Sequence, residues 1–213
     1  MLTKEETIAL YRKRAKNYDL TARLYYLLGF RLASYRQRAV TALMLRPGDS
    51  VVDIACGTGA NFPLLQQVIG PKGKIIGVDL TDAMLTQAHQ RVKEGGWLNV
   101  EIVQSDVASY EFPTHLNGII SSFAITLVPE FDAAIRNGRK SLSAGGGFVM
   151  LDFKLPSGLL STLAPLGAFI THPFGVSMDL ASRHPWESLA VHFASSDVTE
   201  LYAGFVYVAV GKQ

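Results

Sequence analysis

Apolar residues cluster along the chain in short runs, and helical patterns separate them. The runs are Val51 to Ile54, Lys74 to Asp79, Val100 to Asp106, Gly118 to Ala124 and Phe148 to Phe153. Each is short, β-rich and bounded by glycine or turn residues, so each predicts a buried strand. Helical periodicity fills residues 61–69, closed by Gly70-Pro71. It returns over 81–94, with Thr81 as the expected N-cap and Gly95-Gly96 as the stop, and again after Pro129, ending before Gly145. Strand and helix in alternation predict a parallel α/β sheet with helices on both faces. Two last runs, 198–202 and 205–210, meet across Ala203-Gly204 and predict an antiparallel hairpin. Ahead of the strands, residues 4–45 read as helical in two pieces broken near Gly29, the second ending before the turn Arg46-Pro47-Gly48-Asp49. The expected organisation is one domain over 1–213: a helical arm (1–47), a core (48–153), an insertion (154–196) and the closing hairpin (197–213).

Charge changes this picture at one point. The net charge of +2 divides into +6 over residues 1–50 and −4 over the rest. A basic arm on a mildly acidic body suggests either an anionic partner, such as a lipid surface, or a solvated helix face. Cys56 is the single cysteine, so no disulfide forms within the chain, which fits a reducing compartment. The N-terminus lacks the apolar stretch of a leader. The longest uncharged run, Leu155 to Met178, contains Pro156, Pro165 and Pro173 and makes a poor membrane span. The expected location is the cytoplasm, with peripheral contact at the inner membrane face. No Cys/His cluster suggests a metal, and no RNA-binding motif is present, so nucleic acid ranks low as a partner.

The chemistry centres on Asp53-Ile54-Ala55-Cys56-Gly57-Thr58-Gly59. A buried strand runs into a small-residue turn and then a helix, the arrangement that presents backbone amides to a nucleotide. The dinucleotide fingerprint G-x-G-x-x-G fails, because its third glycine falls on Phe62, whose ring should block close helix–strand packing. What remains is D-x-A-x-G-x-G. Asp79 ends the second strand, where a carboxylate accepts from two ribose hydroxyls. Asp106 ends the third. Each acid alone also fits a cap or turn residue.

Together these tips resemble the class I S-adenosylmethionine-dependent methyltransferases, whose first motif is usually (D/E)-x-G-x-G-x-G. Ala55 departs from it, as in the quinone-biosynthesis branch. The resemblance covers residues 48–153, with the hairpin in support. It implies a Rossmann-like fold with a seven-stranded, mostly parallel sheet of order 3-2-1-4-5-7-6, and S-adenosylmethionine as cofactor, with S-adenosylhomocysteine as product. It implies cofactor contacts at Tyr18, Asp53, Ala55, Gly57, Gly59, Asn61, Asp79, Leu80, Met84, Asp106, Val107 and Ser122. Asp106 would accept from the adenine amino group and the Val107 amide would meet the ring. The arm, from Tyr18-Asp19 through Gly29 and on into a basic helix, more loosely resembles methyltransferases of phospholipid or betaine-lipid head groups.

Methyl transfer from a sulfonium is an in-line displacement that needs alignment and exclusion of water rather than a metal. Aromatic faces suit both a sulfonium and a methylated ammonium. Tyr18 is the first candidate for a lid over the methionine end, and Tyr26 a second aromatic candidate; both also fit a helix packing stripe. Ser122 and Phe123 should border the transferred methyl. The tip Ser121-Ser122-Phe123-Ala124 lacks the (D/N/S)-P-P-(Y/F) of amino-methylating nucleic-acid enzymes and the carboxylate of metal-dependent catechol-type enzymes. His172 and His184, in the insertion, are candidate proton acceptors or structural loop residues. Leu159 to Ile170 reads as an apolar lid, a bilayer contact or a core-facing helix. The favoured reading is N-methylation of a lipid-linked or amphiphilic amine. The alternatives are C- or O-methylation of a quinone or other hydrophobic small molecule, and a non-catalytic S-adenosylmethionine-binding module.

Overall fold

The computed structural model describes residues 3–154 and 182–213. Seven strands form one sheet: β1 (Ser50–Ile54), β2 (Lys74–Asp79), β3 (Val100–Gln104), β4 (Leu116–Ser122), β5 (Leu142–Phe153), β6 (Ser195–Leu201) and β7 (Val206–Lys212). Their order is β3-β2-β1-β4-β5-β7-β6. β1 to β5 pair in parallel and β7 runs antiparallel to β5 and β6. The chain starts in the middle of the sheet, moves out to β3, then returns past β1 to β4. The topological switch point between β1 and β4 leaves a crevice at their C-terminal ends, where ligands of open α/β sheets bind.

The crossover helices are α4 (Phe62–Ile69), α5 (Asp82–Gly95) and α6 (Phe131–Ser141). Gly96, in the left-handed conformation, closes α5 as its pattern predicted. One apolar cluster packs Leu65, Ile69, Leu85, Val51 and Val149 on one face of the sheet, and a second packs Ile54, Ile119, Ile135, Phe148 and Tyr207 on the other. α7 (Pro185–His192) joins the second face through Leu189. β5 begins at Leu142, earlier than the apolar run suggested. Its triple glycine is absorbed within the strand: Leu116 pairs with Leu142 but Gly118 with Gly147, so β5 carries extra residues in a bulge.

Phe62 does not hold α4 away from the sheet. The ring is fully buried, because two glycines make room for it. A Cβ at Gly59 would lie 2.5 Å from the ring, and so would one at Gly77 on β2. Volume is thus exchanged between helix and strand. Gly77→Val is expected to lower the unfolding free energy by about 1–3 kcal/mol through overpacking, read as a lower denaturant midpoint. An unchanged midpoint would show that the ring has somewhere else to go.

The arm comprises α1 (Lys4–Arg14), α2 (Tyr18–Leu24) and α3 (Leu32–Ala42), with 3₁₀ turns at Ala15–Asn17 and Tyr25–Leu28. A reciprocal capping box starts α1: Glu6 N–H donates to Thr3 Oγ1 at 3.2 Å, and Thr3 N–H to Glu6 Oε2 at 2.8 Å. α1 is polar and buries only Tyr11, so charge holds it down. Arg12 makes a two-pronged pair with Asp82 at 2.8 and 3.0 Å, and Lys4 pairs with Asp106 at 2.7 Å and Glu130 at 3.1 Å. Part of the arm's positive charge therefore faces the acidic body instead of an external partner. No helix among the described residues is long and apolar enough to cross a membrane.

Candidate functional site

The C-terminal ends of β1 to β4 and the inner face of α1 enclose a cleft of about 660 Å³, partly open to solvent. Ala55, Gly57, Asp79, Leu80, Met84, Asp106 and Val107 line it, together with Thr81 and with Lys4, Thr7 and Tyr11 of the arm. The arm residues were not legible from motifs. They reach the site only because α1 folds back across the strand tips.

Asp79 organises the front of the cleft. Gly57 N–H donates to its Oδ2 and Thr81 N–H to its Oδ1, both at 2.8 Å. Burial pushes the carboxyl up, and these amides pull it back. Gly57 has φ +55°, and a Cβ there would meet nothing within 4 Å. Its missing side chain leaves space at the cleft that a ligand could enter. Ala55 and Phe123, at the tips of β1 and β4, also lie in the left-handed region, at φ 50° and 58°. Alanine at 55 holds that conformation at a cost of about 1–2 kcal/mol that glycine avoids. Asp106 accepts from Ala108 N–H at 3.0 Å and from Lys4. Burial, the largest single influence, pushes its carboxyl up, but the Lys4 hydrogen bond, the Ala108 amide and the Lys4 charge together outweigh it and the net shift is downward.

A second group lies at the tips of β1 and β4. Asp53 is 1 % exposed and accepts from Asn61 Nδ2 at 3.0 and 3.2 Å. The same amide nitrogen lies 3.1 Å from Ser122 Oγ. Arg36 Nη1 donates to Asn61 Oδ1 at 3.0 Å. Arg36 carries no motif signal; it joins the site only through the packing of α3. A clamp from the arm also holds the glycine loop. Thr58 Oγ1 donates to Asp19 Oδ1 at 2.8 Å, Arg91 donates to Thr58 O at 2.6 Å, and Arg91 pairs with Asp19. Asp19 belongs to the Tyr18-Asp19 pair of the arm, and its role was not visible in the sequence.

Burial raises the Asp53 carboxyl from its ordinary 3.8 to about 7, with the Asn61 hydrogen bond and Arg36 opposing. Between those pH values the folded protein binds a proton that the unfolded chain has released. Stability tied to Asp53 is therefore complete near pH 4 and is lost as pH rises through about 7. Asp53→Asn should remove that loss. Without ligand, its melting temperature should exceed that of wild type at pH 8, by about 1–4 kcal/mol of stability, and the gap should close towards pH 4. A gap independent of pH would mean that Asp53 does not titrate in this range.

The other candidates divide. Tyr18 is partly buried, with its ring centroid 6.2 Å from that of Tyr11, and burial pushes its phenol up to about 12. It packs against the cluster of Tyr11, Ala15 and Met84 and is not among the residues that line the cleft. Tyr26 is 48 % exposed, and its hydroxyl accepts from Ala33 N–H at 3.2 Å. That bond ties the 3₁₀ turn to α3 and leaves the ring at the surface. His184 does not line the cleft. It precedes α7, stacks on Trp186 at 4.7 Å and meets Glu187 Oε1 at 2.9 Å, a pair spanning the first turn of the helix. His172 and the run from Leu159 to Ile170 lie outside the described residues.

A glycine turn after β1, an acid at the tip of β2 and the 3-2-1-4-5-7-6 sheet make up the fold of the class I S-adenosylmethionine-dependent methyltransferases. Within that class, the chain belongs to the ubiE/COQ5 methyltransferase family, whose model matches residues 2–165. It is similar to a demethylmenaquinone methyltransferase of Listeria welshimeri, 27% identical over 158 residues, covering 73% of this chain and 66% of that protein. It is also similar to the ubiquinone/menaquinone biosynthesis C-methyltransferase UbiE of Pseudomonas putida, 34% identical over 122 residues, covering 56% of this chain and 48% of that one. The matches thus span just under two thirds and about half of those relatives' lengths. Among solved structures, a putative O-methyltransferase from Nostoc punctiforme matches 95% of this chain and 60% of its own at 15% identity, with a TM-score of 0.69. That likeness concerns the fold alone.

Proposed function

We propose that this protein transfers the methyl group of S-adenosylmethionine to a ring carbon of a quinone-type hydrophobic acceptor. The observation that carries this reading is the family match over residues 2–165, joined to relatives named for demethylmenaquinone and ubiquinone/menaquinone methylation. It displaces N-methylation of a lipid head group, which rested on a loose resemblance of the arm, in favour of the quinone alternative.

The donor set fits the cofactor. The two oxygens of Asp79 suit ribose hydroxyls, and the open space beside Gly57 leaves room for the chain beyond the ribose. Asp106 and the Val107 amide suit adenine once Lys4 yields its place, with Leu80 and Met84 as apolar walls. The cofactor supplies an electrophilic methyl group on a sulfonium. The protein aligns the ring with that methyl and keeps water out. Ser122 and Phe123 stand at the tip of β4, where the acceptor would approach, and Tyr18 packs behind Tyr11 and Met84 of the cleft wall.

The test uses methyl-labelled S-adenosylmethionine with either a reduced demethylated naphthoquinol or vesicles of phosphatidylethanolamine. Label on a ring carbon is expected. Label on the lipid amine would restore the head-group reading, and no label with intact cofactor binding would favour a binding module.

A hydrophobic acceptor is met at a lipid surface. Leu20, Leu24 and Leu27 are exposed at 61, 56 and 85 %, and Lys13 and Lys16 nearby in sequence are exposed too. Lys16→Glu should weaken sedimentation with anionic vesicles by several-fold, each base near such a surface contributing about 1 kcal/mol. Added salt should weaken it further. Arg12 is a poor probe because Asp82 already holds it. Wild-type protein that ignores anionic vesicles at low salt would remove the membrane from the proposal.

A further inference from the structure

α1 lies across the cleft as a strap held by charge at both ends. Lys4, Thr7 and Tyr11 share one face of the helix and line the cleft. Arg12 fixes the C-terminal half through its two-pronged pair with Asp82. The capping box makes Lys4 the first helical residue. Its ammonium lies 2.7 Å from Asp106 Oδ2 and 3.1 Å from Glu130 Oε2.

The two carboxylates differ. Asp106 lines the cleft beside Val107, and its side chain is 22 % exposed. Glu130 follows Pro129 at the rim, does not line the cleft, and is 53 % exposed. Asp106 takes the Ala108 amide on Oδ1, so Oδ2 is the oxygen left for an adenine amino group, and Lys4 stands on it. One ammonium therefore occupies the position of the ligand's donor, with a second carboxylate beside it that can receive the ammonium once displaced.

We propose that Lys4 is a built-in competitor for the adenine position: its ammonium satisfies Asp106 until the amino group of a ligand takes its place, and then passes to Glu130. This rests on the cofactor assignment above. An ammonium shared between two carboxylates is fully committed to neither. Removing Glu130 commits Lys4 to Asp106 and takes away its resting place, whereas removing Lys4 frees Asp106. The two residues thus set cofactor affinity in opposite directions.

The test is titration calorimetry with adenosine and S-adenosylhomocysteine, neither of which carries a net charge near neutral pH. Lys4→Met should bind both about 3- to 10-fold more tightly than wild type, the scale of a partly exposed charged pair. Glu130→Gln should bind both more weakly, by a smaller factor. If the pairs served only to hold α1 in place, both substitutions would loosen the helix and shift affinity the same way. Added salt should tighten binding by wild type and change Lys4→Met little, because exposed pairs are screened. The inference is overturned if Lys4→Met does not bind more tightly, if Glu130→Gln does not bind more weakly, or if wild-type affinity does not rise with salt. If neither wild type nor Lys4→Met binds either ligand, the cofactor assignment fails and the inference with it. The salt series uses wild-type protein alone and stands even if a variant does not fold.

Discussion

Gly57→Val is expected to abolish S-adenosylhomocysteine binding while leaving a folded protein. The residue has φ +55°, and a Cβ there meets no protein atom within 4 Å. A valine side chain would stand in the space beside the cleft, where the ligand must pass. The backbone conformation costs an L-residue about 1–2 kcal/mol, small beside a typical stability of about 5–15 kcal/mol. Gly59 gives the contrast. Its Cβ would lie 2.5 Å from Phe62, so Gly59→Val should damage folding through the core. Calorimetry paired with thermal melts separates the two. Normal affinity in folded Gly57→Val would mean that the loop does not border the ligand.

Asp79→Ala is expected to weaken S-adenosylhomocysteine binding by about 100- to 1,000-fold. A hydrogen bond to a charged group contributes about 1.5–3 kcal/mol, and two ribose hydroxyls are available. The substitution also releases Gly57 N–H and Thr81 N–H, which the carboxylate holds at 2.8 Å, so the loop loses its anchor as well. Asp79→Asn keeps one acceptor oxygen and should fall between wild type and alanine. Affinity unchanged in both variants would place the ribose elsewhere.

These effects centre on residues that strand tips and glycines expose to sequence reading. Asp53, Asp79 and Asp106 were legible because a parallel strand ends where its apolar run ends, and a carboxylate there faces the crevice. Alternation of strand and helix with a hairpin at the end predicted the α/β class, and the resemblance to methyltransferases implied the seven-stranded order that the sheet has. Two expectations gave way for steric and electrostatic reasons. Phe62 fits because Gly77, distant in sequence, removes its own side chain from the same space. The basic arm was read as facing outward, yet Lys4 and Arg12 meet Asp106, Glu130 and Asp82.

The sequence by itself determined the backbone frame and the front of the cofactor cleft, because local period, glycine placement and strand-end acids are short-range signals. Only the tertiary structure decided which arm residues join the site. Lys4, Tyr11, Asp19 and Arg36 sit in helices whose patterns resemble any polar surface helix. Their partners, Asp106, Thr58 and Asn61, are brought to them by long-range packing. A side chain's charge is written in the chain, but its partner is set by which helix face crosses which strand tip. Neither a motif nor a period encodes that crossing.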